Sequence, residues 1–464
     1  MSDYDLKYKN KYLKYKNKYL NLLNQIGGDD ENDVLLAIFN KDWDFWWLDF
    51  KKKDWWFDFK KKEKYLQIIK DQSITSLNFR DRKITDKFIK NITDFLKINE
   101  SIKTINLSSI SPHIGDHGAI EIANVLNITS ILSELIISYN SIGAKGAIAI
   151  AEALRNNKGL TILDIGINKI NDEGTKAIAS ALETNKVLTT LVISSNNISN
   201  DGAIAIARAL TINTHLTKLD IGHNKIYIIG TKAIAKALTS NAQLRELNIQ
   251  HNQIDPEGAI AIAEALKTNA QLTTLYINAN RIGDEGAIAI AKALKTNTQL
   301  TKLEMRINII GKTGAIAIAK ALKINVYLKE LDIGKNQIGD EGAIAIAEAL
   351  EINAYLKELD IGKNQIGDEG AIAIFNALKT EPGTTDRKHS ETKLETLLLL
   401  DNKITANTIV YIVKVLIRNR TLTMVDLSSN IKKKEHKEII EEQIQKLKEK
   451  RKQKNFQPNF YILI

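Results

Sequence analysis

Residues 244–270 read LRELNIQHNQIDPEGAIAIAEALKTNA, and this stretch decides the fold because copies of it precede and follow in register. Leu247 and Ile249 alternate with Glu246, Asn248 and Gln250, the period-two pattern of a short strand with one buried face. Asn252 and Ile254 then turn the chain, and Asp255-Pro256-Glu257 puts acid at a helix start. Ala259, Ile262, Ala263 and Leu266 follow at i, i+3, i+4 and i+7, one face of a helix. Small alanines at that contact let the helix lie close to its own strand. Asn269 ends the helix, a place that suits a residue tolerant of left-handed geometry. Asn157, Asn185, Asn213, Asn241, Asn297, Asn325 and Asn353 hold the same place in other copies.

The specimen frame is L-x-x-L-x-I-x-x-N-x-I, and its asparagine recurs every 28 residues at Asn140, Asn168, Asn196, Asn224, Asn252, Asn280, Asn308, Asn336 and Asn364. A period kept this strictly means that one supersecondary unit, unable to bury its apolar side alone, is stacked on copies of itself. Strand followed by helix with short connections generates parallel strands on one side and helices on the other. Parallel strands sit about 4.8 Å apart while packed helices need about 8–10 Å, so the stack bends with its sheet inside. The expected fold is an α/β curved solenoid, a horseshoe with a parallel sheet on the concave face and helices on the convex face. Thirteen units fit between residues 74 and 430.

The pattern L-x-x-L-x-L-x-x-N-x-L followed by G-A-x-x-L-A-x-A-L resembles leucine-rich repeats of the ribonuclease-inhibitor-like subfamily. That resemblance implies protein binding. Similar repeats occur in the ligand-sensing parts of nucleotide-binding innate immune receptors, and in the GTPase-activating protein of the Ran system. The second of these implies an alternative, a GTPase-activating protein in which the repeat surface aligns a GTPase and an arginine assists phosphoryl transfer. Arg80 and Arg82 stand in the first unit.

Each frame asparagine is expected to satisfy backbone groups left bare where the strand leaves the sheet, forming a structural ladder. Pro112 stands where the second unit would carry asparagine, and Arg82 where the first would, so those two units are expected to be irregular.

Positions flanking the buried strand residues point into the concavity and are the expected protein-binding surface. Asp164, Asp220, Glu246, Glu304, Glu330, Asp332, Glu358, Asp360 and Asp426 give it acidic character, with Lys218, Lys302, Lys335, Lys363 and Arg306 interspersed and Tyr139 and Tyr276 as aromatic anchors. A basic or mixed-charge protein surface is the partner this implies. His223 and His251 hold equivalent places in successive units and are expected to approach each other without forming a metal site. A row of isoleucines on the helix flank, Ile148, Ile204, Ile260, Ile288, Ile316, Ile344 and Ile372, is expected to pack between neighbouring helices. If exposed, it would form an apolar stripe.

A solenoid needs caps over its terminal apolar faces. All five tryptophans lie in residues 29–73, which reads as an N-terminal cap. Residues 431–464 read as a charged closing helix and tail, with Ile440, Ile444 and Leu447 at helical spacing. The period stretches between residues 380 and 391, a Pro- and Gly-containing insertion read as a loop. Residues 1–28 contain KYKNKYL twice in succession, a tyrosine- and lysine-rich leader helix. This leader resembles the N-terminal segment shared by many proteins of amoeba-infecting giant DNA viruses.

Cysteine is absent from the 464 residues, which removes disulfide frameworks, zinc–thiolate sites and thiol nucleophiles and suits a reducing, intracellular, cytoplasmic setting. No run approaches about 18 apolar residues, so neither a secretion signal nor an integral membrane span is expected. Net charge is +10, but lysines crowd the C-terminal tail and read as solvated charge, which disfavours nucleic acid as a partner. There is no G-x-x-x-x-G-K-[ST] phosphate loop and no G-x-S-x-G elbow. The expectation is a non-enzymatic binding scaffold with no cofactor and no metal.

Overall fold

A computed structural model describes residues 74–84, 87–379, 393–417, 419–431, 434–453 and 460–464. The leader, the tryptophan-rich stretch and the 380–391 insertion lie outside the described residues. Two compact units divide the chain, the first ending at Asn168 and the second beginning at Lys169.

The first unit runs β1 (Ser76–Asn78), α1 (Phe88–Leu96), β2 (Thr104–Asn106), α2 (Asp116–Ile128), β3 (Glu134–Ile136), α3 (Ala144–Asn156) and β4 (Ile162–Asp164). Its strands pair in parallel, with Leu77, Ile105, Leu135 and Leu163 in register. Its first two repeats combine regular and irregular features. Asp81 and Ser109 take φ of 59° and 55°, the same corner as the regular repeats, although Arg82 and Ile110 follow it where those repeats carry asparagine, and Pro112 comes two residues later. The departure is a cis Ser111–Pro112 peptide and an isolated bridge between Lys83 and Ser111. Phe79 and Phe88 meet edge to face at 5.2 Å and fill the first repeat's core.

The second unit contains α4 (Asn171–Leu182), β5 (Thr190–Val192), α5 (Asn200–Ile212), β6 (Lys218–Asp220), α6 (Ile228–Ser240), β7 (Glu246–Asn248), α7 (Pro256–Thr268), β8 (Thr274–Tyr276) and α8 (Gly283–Leu294). It continues with β9 (Lys302–Glu304), α9 (Lys312–Leu322), β10 (Glu330–Asp332), α10 (Gly339–Leu350), β11 (Glu358–Asp360) and α11 (Asp368–Ala377). Past the insertion come β12 (Thr396–Leu398), α12 (Ala406–Leu416), β13 (Met424–Asp426), α13 (Lys434–Gln453) and β14 (Tyr461–Leu463). Strands β5 to β14 pair in sequence order, all parallel. Each unit is therefore a solenoid of β-α rungs, curved by the mismatch between strand and helix spacing with its sheet on the inside.

In the specimen repeat Leu244, Leu247, Ile249, Ile254, Ala259, Ile262, Ala263, Ala265 and Leu266 are all buried. Close stacking explains the glycine at the start of helices α2 to α11. A Cβ on Gly286 would lie 2.8 Å from that of Ala259 in the preceding helix, a separation that allows no side chain. Asp255 caps its helix by accepting the Gly258 N–H at 2.8 Å. Elsewhere the cap comes from the preceding repeat: Asp284 accepts the Gly311 and Gly314 N–H groups, both at 2.8 Å.

The frame asparagines form the expected ladder. Asn280 donates its amide to the carbonyls of Ile249, Ile277 and Asn278 at 3.1–3.2 Å, and its Oδ1 accepts from the Asn252 and Ile254 N–H groups. Each rung thus bonds the rung before it. The ladder runs on through Asn402 and Asn430, whose Oδ1 atoms accept from Asn364 and Asn402 respectively.

The helix-end asparagines are a correction. Asn157, Asn213, Asn241 and Asn269 have φ between −67° and −72° and ψ between 119° and 130°, which is extended backbone and not left-handed. They are buried, and they build a second ladder. Asn297 donates to the carbonyls of Leu266 (2.7 Å) and Asn269 (3.3 Å), and accepts from the Gln299 (3.0 Å) and Leu300 (2.8 Å) N–H groups. Burial explains the difference: a cap satisfies its own helix, whereas these side chains also satisfy the previous helix's bare carbonyls.

At the far end, Ile440, Ile444 and Leu447 of α13 are buried against α12. The end of the tail supplies β14 and adds one strand beyond the thirteen units counted.

Candidate protein-binding surface

In every repeat the residues on either side of the buried strand leucine stand on the open face of the sheet, away from the helices. Four residues past that leucine the chain turns through left-handed geometry. Tyr139, Ile167, Ser195, His223, His251, Ala279, Ile307, Lys335 and Lys363 occupy that corner with φ of 49–58°.

Tyr139 and Asp164 belong to the first unit. Tyr139 is 53% exposed at its corner, with its ring 6.3 Å from that of His113. The carboxylate of Asp164 accepts from the Ser138 hydroxyl and the Gly166 N–H, both at 2.9 Å, and burial raises its pKa despite those bonds. Arg80, an arginine on which a GTPase-activating role would draw, is an exposed partner of Asp81 at 3.3 Å.

The other candidates lie in the second unit, where they form successive pairs across the strands. Lys218 on β6 reaches Glu246 on β7 at 2.9 Å. Lys302 on β9 lies 5.6 Å from the centroid of the Tyr276 ring on β8 and pairs with Glu304 (3.2 Å) and with Glu330 on β10 (2.9 Å). Glu304 also accepts the Asn278 amide at 2.8 Å. Arg306 reaches forward to Asp332 at 3.3 Å and on to Asp360 with the same Nη1. Glu358 is exposed.

Several acids also serve the backbone. Asp220, Asp332 and Asp360 accept the N–H groups of Gly222, Gly334 and Gly362 at 2.8–2.9 Å, closing the turn at the strand's end. Burial pushes the Asp332 carboxyl up to about 7, with Asp360 repulsion adding to it and the Gly334 bond and Arg306 opposing. Asp360 is raised by burial as well. Burial alone would lower Lys302 and Arg306, but their carboxylate partners hold both above their ordinary values. Composition revealed the acids, while the relay of cations reaching from strand to strand depends on rotamers that sequence does not show.

His223 and His251 stack with centroids 4.0 Å apart, and burial followed by His223's charge lowers the His251 pKa. Among the described residues no three His, Asp or Glu side chains converge as metal ligands. The flank isoleucines divide: Ile204 and Ile260 are 42% and 38% exposed, and the other five are half-buried between helices. No described helix is long and apolar enough to cross a membrane.

The family model described as Leucine Rich repeat matches residues 131–151, 156–179, 184–207, 213–235, 240–263, 268–291, 325–347 and 353–375. The chain is a leucine-rich repeat protein. Each matched segment starts near the end of one helix and runs through the strand, the corner and most of the next helix, so the leucine-rich repeat signal and the rungs coincide. Among solved structures, an internalin (inlF) from Listeria monocytogenes is similar at 23% identity and a TM-score of 0.44, over 73% of this chain and 84% of that one. Leiomodin-1 actin-binding site 2 is similar at 20% identity and a TM-score of 0.27, over 38% of this chain and 86% of that one. Neither likeness bears on what this leucine-rich repeat array binds. No curated protein matches it.

Proposed function

We propose that the chain is a non-enzymatic scaffold that binds a protein on the concave face of its second unit. One observation carries this reading: from β6 to β11 the open-face side chains already hold one another in a fixed, half-exposed lattice of charge. Lys218, Lys302 and Arg306 are committed to carboxylates before any partner arrives. A partner therefore meets an ordered surface and loses little entropy in ordering it. Seven carboxylates (Asp220, Glu246, Glu304, Glu330, Asp332, Glu358 and Asp360) face five cations (Lys218, Lys302, Arg306, Lys335 and Lys363) on these rungs, which selects a partner surface of mixed charge with a modest basic excess. Tyr276 supplies an aromatic anchor within it.

The period of 28 and the Gly-Ala helix start support a likeness of the repeats to the ribonuclease-inhibitor-like subfamily. The tyrosine- and lysine-rich leader supports a partner encountered in a host cell. Absence of a phosphate loop, a nucleophile elbow and any thiol supports binding over turnover, and hydrolase or transferase activity of the purified protein would contradict it.

The test is affinity capture with the intact chain against Glu330→Lys combined with Glu358→Lys. These positions are chosen because Asp332 and Asp360 also hold turns. Desolvated charge pairs are worth about 2–5 kcal/mol, so partner recovery should fall at least tenfold in the double variant. Unchanged recovery would reject the acidic concave site.

A further inference from the structure

The turns that follow the helices of the second unit place three residues per repeat on one rim. In the specimen repeat these are Thr268, Ala270 and Gln271, and in the next Thr296, Thr298 and Gln299. Other repeats place single apolar residues there, Val187 after α4 and Ile212 after α5, but two successive repeats gather them. After α9 the rim carries Ile324, Val326 and Tyr327, and after α10 it carries Ile352, Ala354 and Tyr355. The five large side chains are 58%, 38%, 42%, 51% and 43% exposed in that order.

They are held out rigidly. Tyr327 and Tyr355 donate their N–H groups to the buried Asn325 and Asn353 at 2.9 and 2.8 Å, so the turn cannot fold the rings inward without breaking the second ladder. The two repeats form one surface, because Lys329 Nζ lies 5.1 Å from the Tyr355 ring and Lys323 reaches Glu348 at 3.0 Å. Thr296, Thr298 and Gln299 satisfy the same turn one repeat earlier, so the turn itself does not require Ile324, Val326 and Tyr327.

We propose that a second copy of this chain docks on the rim, two-fold related, with the rim of the second unit as a reversible homodimer contact. An isologous contact requires residue i to meet j while j meets i. Ile324, Tyr327 and Lys329 recur one repeat later as Ile352, Tyr355 and Lys357, so a two-fold axis between the repeats sets each trio against the other copy's equivalent trio. Charge agrees with that occupant. Lys323 and Lys357 pair with Glu348 and Glu395 at 3.0 and 2.9 Å beside the patch, so both signs of charge border it and can complement a second copy. The exposed parts of the five side chains amount to roughly 450 Å², the scale at which patches on monomers become functional. Two such patches with their lysine stems bury on the order of 1,000–1,200 Å², the lower end of specific interfaces, which fits a dimer that dissociates at tens of micromolar.

Sedimentation equilibrium of the full chain from ~5 to ~300 µM reads the outcome by mass action. The mass should rise from 52.0 kDa toward twice that value. A variant carrying Ile324→Thr, Val326→Thr, Tyr327→Gln, Ile352→Thr and Tyr355→Gln, residues that earlier repeats already hold at this rim or are close to, should keep its far-ultraviolet circular dichroism and remain monomeric throughout. The concave pair Glu330→Lys and Glu358→Lys should dimerise like the parent, which separates this contact from partner binding. A parent chain monomeric at ~300 µM would overturn the proposal. So would a rim variant that dimerises as the parent does.

Discussion

Asn297 in the middle of the second unit and Arg451 at its end perform one task with different chemistry. Asn297 gives its amide to the carbonyls of Leu266 and Asn269, the bare end of the preceding helix. Where the array stops, the corresponding carbonyls are those of Leu416 and Asn419, and no further repeat follows to supply an asparagine. Nη1 of Arg451, arriving on α13, donates to both at 2.9 and 2.5 Å. Its guanidinium carbon lies 4.2 Å from the Phe460 ring centroid, which carries the charge into a site only 2% exposed. The rung therefore requires a donor at a given point in space, and the identity of the residue is secondary.

The comparison breaks most sharply at the interior position. Asn297→Ala removes four hydrogen bonds and leaves two carbonyls and two N–H groups bare, at a cost of about 3–5 kcal/mol. A denaturant midpoint measured with hydrogen exchange should show the loss centred on α7 to α9. Asn297→Asp keeps the two acceptor bonds but sets a buried carboxylate oxygen against the Leu266 and Asn269 carbonyls, and should cost at least as much as alanine at neutral pH. Arg451→Ala should cost about 2–4 kcal/mol, confined to the last repeats, because nearest-neighbour stacking lets the end fray without the middle. Exchange protection should drop in β12 to β14 and persist in β5 to β9. Arg451→Lys retains the charge without the planar donor or the ring stacking, and should recover only part of that protection.

How far each device was legible follows from whether it repeats. The strand leucines, the helix face and the inner ladder all recur at 28 residues, so they could be read directly. Asn402 and Asn430 stand five residues after Leu397 and Val425, the same offset as Asn364 after Leu359, and the insertion hid them only by breaking the count. The outer asparagines were seen and misassigned, since an asparagine at a helix end ordinarily caps its own helix. Arg451 could not be found by periodicity, because its acceptors lie 35 and 32 residues away and the contact exists only once α13 folds back. On the open face the charges were legible, and their strand-to-strand pairing was not.

The corner at the strand's end separates backbone demand from side-chain choice more gently. Its φ is near +55° in every repeat, yet the occupant ranges from Ser195 to Lys363, and at Ile307 (φ 57°) it is β-branched, the least suited class. Ile307 is 37% exposed, so little packing offsets the strain. Ile307→Gly should stabilise by ~0.5–1.5 kcal/mol, raising Tm by a few degrees. Ala279→Gly, at a corner with φ of 51° and no β-branch, should gain less. A lower Tm for Ile307→Gly would show that its side chain contributes more than its backbone costs.

A change of pH distinguishes the buried ladders from the open face without altering a residue. Ladder amides do not titrate, whereas Asp332 is held near 7 by burial and by Asp360. An unfolded aspartate titrates near ~3.9, so between these values the folded chain binds more protons than the unfolded one. The stabilisation linked to this proton is fully present below ~4 and is lost as pH rises through about 7. Raising pH from 5 to 8 should therefore lower Tm by a few degrees beyond the drift seen in Asp332→Asn. That variant can still close its turn, since Asn248 accepts the Gln250 N–H at 3.0 Å from the equivalent position. If the two proteins show parallel Tm profiles, the Asp332–Asp360 repulsion is relieved by Arg306 alone, and the open face is as insensitive to protons as the ladders behind it.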